Sequence, residues 1–351
     1  MTTLKEKLTR SGWLWLGLIL LLGWASNFSA AARSDDQAVS LKAPQTEIVS
    51  GIDGPAELDI RYLAVNELKP KAPGSMRIGS MAAAEPQADI IFIHGHAGRL
   101  DNHGLLFSTW AEAGYRVISF DLPSHGESQI LPIDLYSFEE LFALIRLVDE
   151  ATLEDPDRPL FIAGWSFGGL VATRLAQQPD LLASLSRTPQ GMILLAPGII
   201  VYPFTGGDGI SRVRTLSNNP NPPLAGPPSP ASPLQNPVFA VRLLAEAWLG
   251  ERAPLPASLP VLVLAADNDD DWYVNEAAVL AWTESQRRQG ADIRTFQCPQ
   301  AKHALDNEPY PIGPTVRQLT VDFITATLQG TRIEGVDWLA NVPDGPACIL
   351  Q

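Results

Sequence analysis

The chain has 351 residues, 46% of them hydrophobic and 18% charged, and a formal net charge of −14 at pH 7. That balance excludes a disordered chain and leaves length for one large core or two modest ones. An acidic surface repels phosphate backbones, so nucleic acid is not an expected partner.

The N-terminus reads as a targeting segment. The basic stretch KEKLTR precedes the apolar run Gly12–Ala25, and SNFSAAARS follows with small residues at A-x-A spacing, for instance Ala30 and Ala32. This is the three-part plan of a secretory signal peptide over residues 1–32, and it implies export. Adding Ser26 to Ala32 brings the run near the ~20 residues of a spanning helix, so an uncleaved membrane anchor is the alternative. Residues 33–56 are polar and mixed and are expected to form a linker.

ELDIRYLAV, Glu57–Val65, alternates as an edge strand should. Residues 69–87, rich in Pro, Gly, Ala and Ser, read as a loop. From Ala88 the pattern changes. Short apolar runs at Asp89–Gly95, Tyr115–Asp121, Pro159–Trp165, Gly191–Pro197, Pro260–Asp267 and Ala291–Gln297 read as strands apolar on both faces. Helical segments lie between and after them, near 103–113, 138–151, 167–178, 275–289 and 314–328. The alternation predicts an α/β domain over 57–330, with a mostly parallel sheet and right-handed crossovers. Residues 198–259 interrupt it. The stretch NNPNPPLAGPPSPASPLQNP forbids helix and central strand, and a helix near Val238–Leu249 follows. Such an insertion reads as a cap or lid. Residues 331–351 form a C-terminal tail. The only two cysteines are Cys298 and Cys348, and spacing leaves a disulfide and two free thiols equally open. The terminal CILQ matches the C-a-a-X prenylation pattern, but prenylation is cytosolic and the N-terminus argues for export.

Gly164-Trp165-Ser166-Phe167-Gly168 is a G-x-S-x-G between a predicted strand and a predicted helix. On that turn a serine hydroxyl projects above the end of the sheet, and the helix N-terminus points its N–H groups at any oxyanion that forms. A serine needs a base, and the base needs a carboxylate to hold its tautomer. In this fold the order is serine, acid, histidine. One histidine, His303, lies downstream of Ser166. The acid comes from VLVLAADNDDDWYV: Asp269 fits best, three residues past Ala266, with Asp267 and Asp270 as alternatives. The oxyanion donors are the backbone N–H of Phe167 and one from the loop after the first parallel strand, His96, with Ala97 as alternate. His94, His96, His103 and His125 lie upstream without metal-ligand spacing, so they are expected to fix loops, and no metal or cofactor is expected.

These motifs together resemble the serine α/β-hydrolases, within them the monoglyceride lipase and lysophospholipase-like branch that also holds serine aminopeptidase relatives. HGHAG, DLPSHGES, GWSFGG, LAADND and AKHALDNEP carry the resemblance, which spans about Asp59 to Gln329. It implies a Ser166–Asp269–His303 triad, an acyl-enzyme intermediate and a carboxylic-ester or amide substrate; the leading expectation is an esterase acting on a small acyl-ester or lipid substrate. A serine aminopeptidase or amidase is the alternative, and an inactive binding protein on the same scaffold a third. Two departures stand out: Ser124 replaces a usual glycine in DLPSHGES, and the cap is proline-rich with one clear helix. The cap shapes the acyl pocket, so the substrate is left open, as is the oligomeric state.

Overall fold

In the computed structural model, the apolar runs from Ala88 onward are strands of one sheet. Residues 47–50, 57–65, 74–96, 98–201, 237–266, 274–333 and 347–351 are described. All fall in the compact unit Ala43–Gln351. The apolar run Gly12–Ala25 lies outside them, and among the described residues no helix is long and apolar enough to cross a membrane.

Ten strands among the described residues form the sheet: β1 (Glu47–Ser50), β2 (Glu57–Ala64), β3 (Ser75–Ala82), β4 (Asp89–Ile93), β5 (Arg116–Phe120), β6 (Leu160–Trp165), β7 (Pro189–Leu195), β8 (Val261–Ala265), β9 (Ile293–Gln297) and β10 (Ile349–Leu350). Their order is β1-β2-β3-β5-β4-β6-β7-β8-β9-β10. The run from β5 to β9 is parallel, while β1, β2 and β3 at one edge and β10 at the other are antiparallel additions. The chain is therefore an α/β protein with a mostly parallel sheet.

Helices cover both faces: α1 (Gly104–Glu112), α2 (Phe138–Thr152), α3 (Phe167–Ala176), the short α4 (Pro179–Leu182), α5 (Pro237–Arg252), α6 (Glu276–Arg288) and α7 (Ile312–Leu328). The double-sided burial read from the runs is literal. In β4, Ile91 and Ile93 join the core under α2, α3 and α5, while Ile90 and Phe92 join the core under α1 and α7. In β6, Leu160 and Ile162 face the first core, and Phe161, Ala163 and Trp165 the second. α2 starts with a capping box, the Ser137 hydroxyl accepting from Glu140 N–H and the Glu140 carboxylate from Ser137 N–H.

Three expectations change. Residues 69–87 contain a full strand, β3, in which Met76, Ile78 and Met81 are buried. Arg77 is buried with them and disguises the pattern; its charge is met by Asp101 at 2.7 Å and Asp121 at 3.4 Å. β2 is not an edge strand, because β1, inside the stretch expected to be a linker, pairs outside it. The tail returns to the sheet as β10, and Cys298 and Cys348 are joined in a disulfide.

That disulfide spans 50 residues of sequence. Replacing both cysteines with alanine is expected to lower the unfolding free energy by about 4 kcal/mol. Urea unfolding followed by circular dichroism measures it, and an unchanged midpoint would contradict the role given to the crosslink.

Candidate active site

Ser166 leaves the end of β6 and starts the turn into α3. Its φ is +54° and its ψ −119°, a region that residues with side chains rarely enter. β7 and the chain just beyond it hold it there. Ser166 N–H donates to the Leu195 carbonyl at 2.9 Å, and Gly198 N–H donates to the Ser166 carbonyl at 2.8 Å. The two flanking glycines are steric necessities. A Cβ on Gly164 would collide with the Gly168 carbonyl, and one on Gly168 with the Ile93 carbonyl at the end of β4. Gly95, in the loop after β4, is equally constrained: a Cβ there would lie 2.6 Å from the Trp165 ring and 2.9 Å from Ser166 Cβ.

His303 lies in the loop after β9. Its Nε2 is 2.7 Å from Ser166 Oγ, with both residues at most 2% exposed. The distance and burial suit proton transfer from the hydroxyl to a neutral imidazole. The loop around His303 is pinned both from β6 and from within. Trp165 Nε1–H donates to the His303 carbonyl at 2.8 Å, and Lys302 N–H donates to Glu308 Oε1 at 2.8 Å. Asp269, with the alternatives Asp267 and Asp270, lies outside the described residues, as does Ala97. β8, which leads to those aspartates, ends on the same edge of the sheet as β6.

Phe167 is the first residue of α3, so its N–H is one that the helix does not use internally. His96 lies in the turn after β4, its ring buried and 5.8 Å from Phe239 of α5. Phe239 also meets Phe167, ring centroids 5.5 Å apart. One side chain of the insertion thus packs on both residues expected to donate to an oxyanion. The sequence marked α5 as helical but carried no sign of this contact.

Two of the upstream histidines, His94 and His125, bond to loop backbone. His94 Nε2 accepts from Leu122 N–H at 3.0 Å while Nδ1 faces the Gly95 carbonyl at 2.7 Å, a pattern that requires the neutral ring. His125 Nδ1 lies 2.8 Å from the Pro123 carbonyl. Burial holds His94 and His96 well below the usual 6.5, with the neighbouring His125 adding to it, and burial takes His125 down to about 4. Asp121, the first residue of DLPSHGES, supports both loops from below. It accepts from Leu100 N–H at 2.9 Å and Glu127 N–H at 2.8 Å, and burial pushes its carboxyl up to about 6. Ser124 has φ +57°, the left-handed conformation that explains why a glycine would be usual there. Among the described residues no three His, Cys, Asp or Glu side chains converge to hold a metal ion.

Residues 90–328 match the alpha/beta hydrolase family. The chain belongs to that family. It is 24% identical over 249 residues to Phospholipase YtpA of Bacillus subtilis (strain 168), across 65% of this chain and 92% of that protein. Among solved structures it is similar to the monoacylglycerol lipase of Paleococcus ferrophilus, with TM-score 0.54, 18% identity and coverage of 72% and 99% of the two chains. It is also similar to a soluble variant of the monoglyceride lipase of Saccharomyces cerevisiae, with TM-score 0.55, 16% identity and coverage of 85% and 99%.

The buried neutral imidazoles carry a pH prediction. A histidine whose folded pKa is depressed contributes stability above its unfolded value, and that contribution is lost as pH falls towards the folded one. For His125 the window runs from 6.5 down to about 4. The wild type should therefore lose roughly 3 kcal/mol relative to His125→Gln across it. Asp121 titrates with the opposite sign but is present in both proteins and cancels. Urea titrations at stepped pH measure the gap; a gap constant with pH would contradict the assignment.

Proposed function

We propose that this chain is a serine hydrolase that cleaves carboxylic esters of small acyl or lipid type, such as monoacylglycerols or lysophospholipids, through an acyl-enzyme intermediate. The observation that carries the reading is the strained Ser166 with its Oγ 2.7 Å from His303 Nε2. Ser166 Oγ attacks the ester carbonyl as His303 takes its proton. The negative charge then forming on the carbonyl oxygen is met by the N–H groups of Phe167 and His96. His303 returns the proton to the leaving alcohol, and water releases the acyl group by the same route in reverse. Asp269 orients His303 and stabilises its positive charge. The ester preference is supported by the named activities of the similar proteins, a phospholipase and two monoglyceride lipases. It is supported also by the apolar side chains of Phe167 and Phe239 beside the candidate donors.

Purified protein assayed on monoacylglycerol, lysophospholipid, nitrophenyl esters and aminoacyl amides tests the proposal. Ester turnover is expected, with kcat reduced at least about 10³-fold in Ser166→Ala. Turnover of amides alone, or undiminished ester turnover in Ser166→Ala, would overturn it.

We also propose that the chain acts outside the cytosol, either released after cleavage of residues 1–32 or held by them at a membrane. The basic and apolar N-terminus and the disulfide, which persists in oxidising compartments, support this. N-terminal sequencing of the protein recovered from the extracytoplasmic fraction is expected to begin near Arg33 if the segment is cleaved and at the N-terminus of the full chain if it is an anchor. Recovery solely from the cytosol would contradict both.

A further inference from the structure

The sheet does not by itself bring the candidate base to the candidate oxyanion loop. β4 and β9, which feed the two loops, are four strand steps apart in the sheet, roughly 19 Å. Both loops must reach inward to meet over β6. What ties them together there is a second buried histidine–carboxylate pair. His103 closes the 3-10 turn Leu100–His103 that follows the oxyanion loop, and Asp306 lies three residues after His303. His103 Nδ1 is 2.7 Å from Asp306 Oδ2, and both side chains are at most 1% exposed. A parallel tie runs beside it, Asn307 Nδ2–H donating to the Asn102 carbonyl at 2.9 Å. Arg317 of α7 anchors the far side by donating to the Asp306 carbonyl at 2.6 Å.

Trp165, the residue before Ser166, contacts both imidazoles. Its ring centroid is 5.1 Å from that of His103 and 5.1 Å from that of His303. The pair therefore joins all three loops that the reaction needs: oxyanion loop, nucleophile turn and base loop. It does so at a cost. Among the described residues neither His103 Nε2 nor Asp306 Oδ1 has a hydrogen-bond partner. Two apolar side chains of similar size would be cheaper to bury. A polar pair kept there has directionality to contribute, since a hydrogen bond fixes the relative position of two loops more narrowly than apolar contact does.

We propose that His103 and Asp306 are positioning residues, a clasp that holds His303 on Ser166 by fixing the base loop to the oxyanion loop. The proposal rests on the reading of Ser166 and His303 as nucleophile and base. Its chemistry is indirect: neither residue touches the substrate, so substrate binding should be little affected while the rate of acyl transfer should fall. A misplacement of about 1 Å at a reacting group can cost about 10²-fold in rate.

Steady-state kinetics of the full chain on a nitrophenyl ester, per folded molecule, test this. His103→Phe keeps a ring against Trp165 and Phe92 but removes the hydrogen bond. It is expected to lower kcat about 10- to 100-fold at a KM within about twofold of wild type. His103→Asn places an amide nitrogen where Nδ1 stood and is expected to recover most of that loss. The double variant His103→Phe/Asp306→Leu replaces the clasp with an apolar pair, so a folded protein without the hydrogen bond can be measured even if the single variant fails to fold; its kcat should be as low. Wild-type kcat in folded His103→Phe or in the double variant, or no recovery in His103→Asn, would overturn the clasp while Ser166→Ala remains inactive. An active Ser166→Ala would instead overturn the catalytic reading beneath it.

Discussion

Two hydrogen bonds, from Ser166 N–H to the Leu195 carbonyl and from Gly198 N–H to the Ser166 carbonyl, hold a positive φ at a residue that carries a side chain. A backbone in such a region costs of order 1–3 kcal/mol and persists only where its surroundings over-determine it. Here the surroundings are the parallel sheet itself. β6 is flanked by β4 and β7, and each neighbour supplies part of the restraint: β7 through its carbonyl, β4 through the close approach of Ile93 to Gly168. The strained turn raises the Ser166 hydroxyl towards the edge of the sheet where loops converge. The remainder of the candidate site depends on that placement.

The loops that converge are built from polar groups taken out of water. His94, His125 and Asp121 are spent on fixing the loops after β4 and β5, each through backbone groups of the other loop or its own. Burial keeps the imidazoles neutral, so the neighbourhood of Ser166 gains donors and acceptors without gaining positive charge. In the proposed mechanism His303 is the ring that takes the proton, and the charge developing on an oxyanion is met by backbone dipoles. Phe239, on a helix of the insertion, packs on the two residues proposed to supply them.

The parallel centre of the fold was legible because burial on both faces writes an unbroken apolar run, and each of those runs is a strand. The antiparallel margins were not. β3 hides Arg77 among its buried residues, and the acids that neutralise it are 24 and 44 positions away in sequence. β10 has two residues and is joined to the sheet beside a disulfide whose partner is 50 positions away. The same division runs through the site. The approach of His303 to Ser166 and the place of Phe167 at the start of α3 were legible because the G-x-S-x-G turn has a local geometry and the chain offers a single downstream histidine. Ser124 was legible only as a departure, and its left-handed backbone is the physical reason that the position favours glycine. The His103–Asp306 contact joins residues 203 positions apart and follows no local pattern, so only the assembled loops reveal it.

The central claim is that Ser166 is a nucleophile activated by His303. Reaction of the full chain with a fluorophosphonate, followed by intact mass measurement and peptide mapping, tests it without any assumption about the substrate. The account predicts a single adduct on Ser166 that is lost in Ser166→Ala and strongly slowed in His303→Ala. An adduct on another residue, or labelling of Ser166 at the same rate without His303, would contradict it.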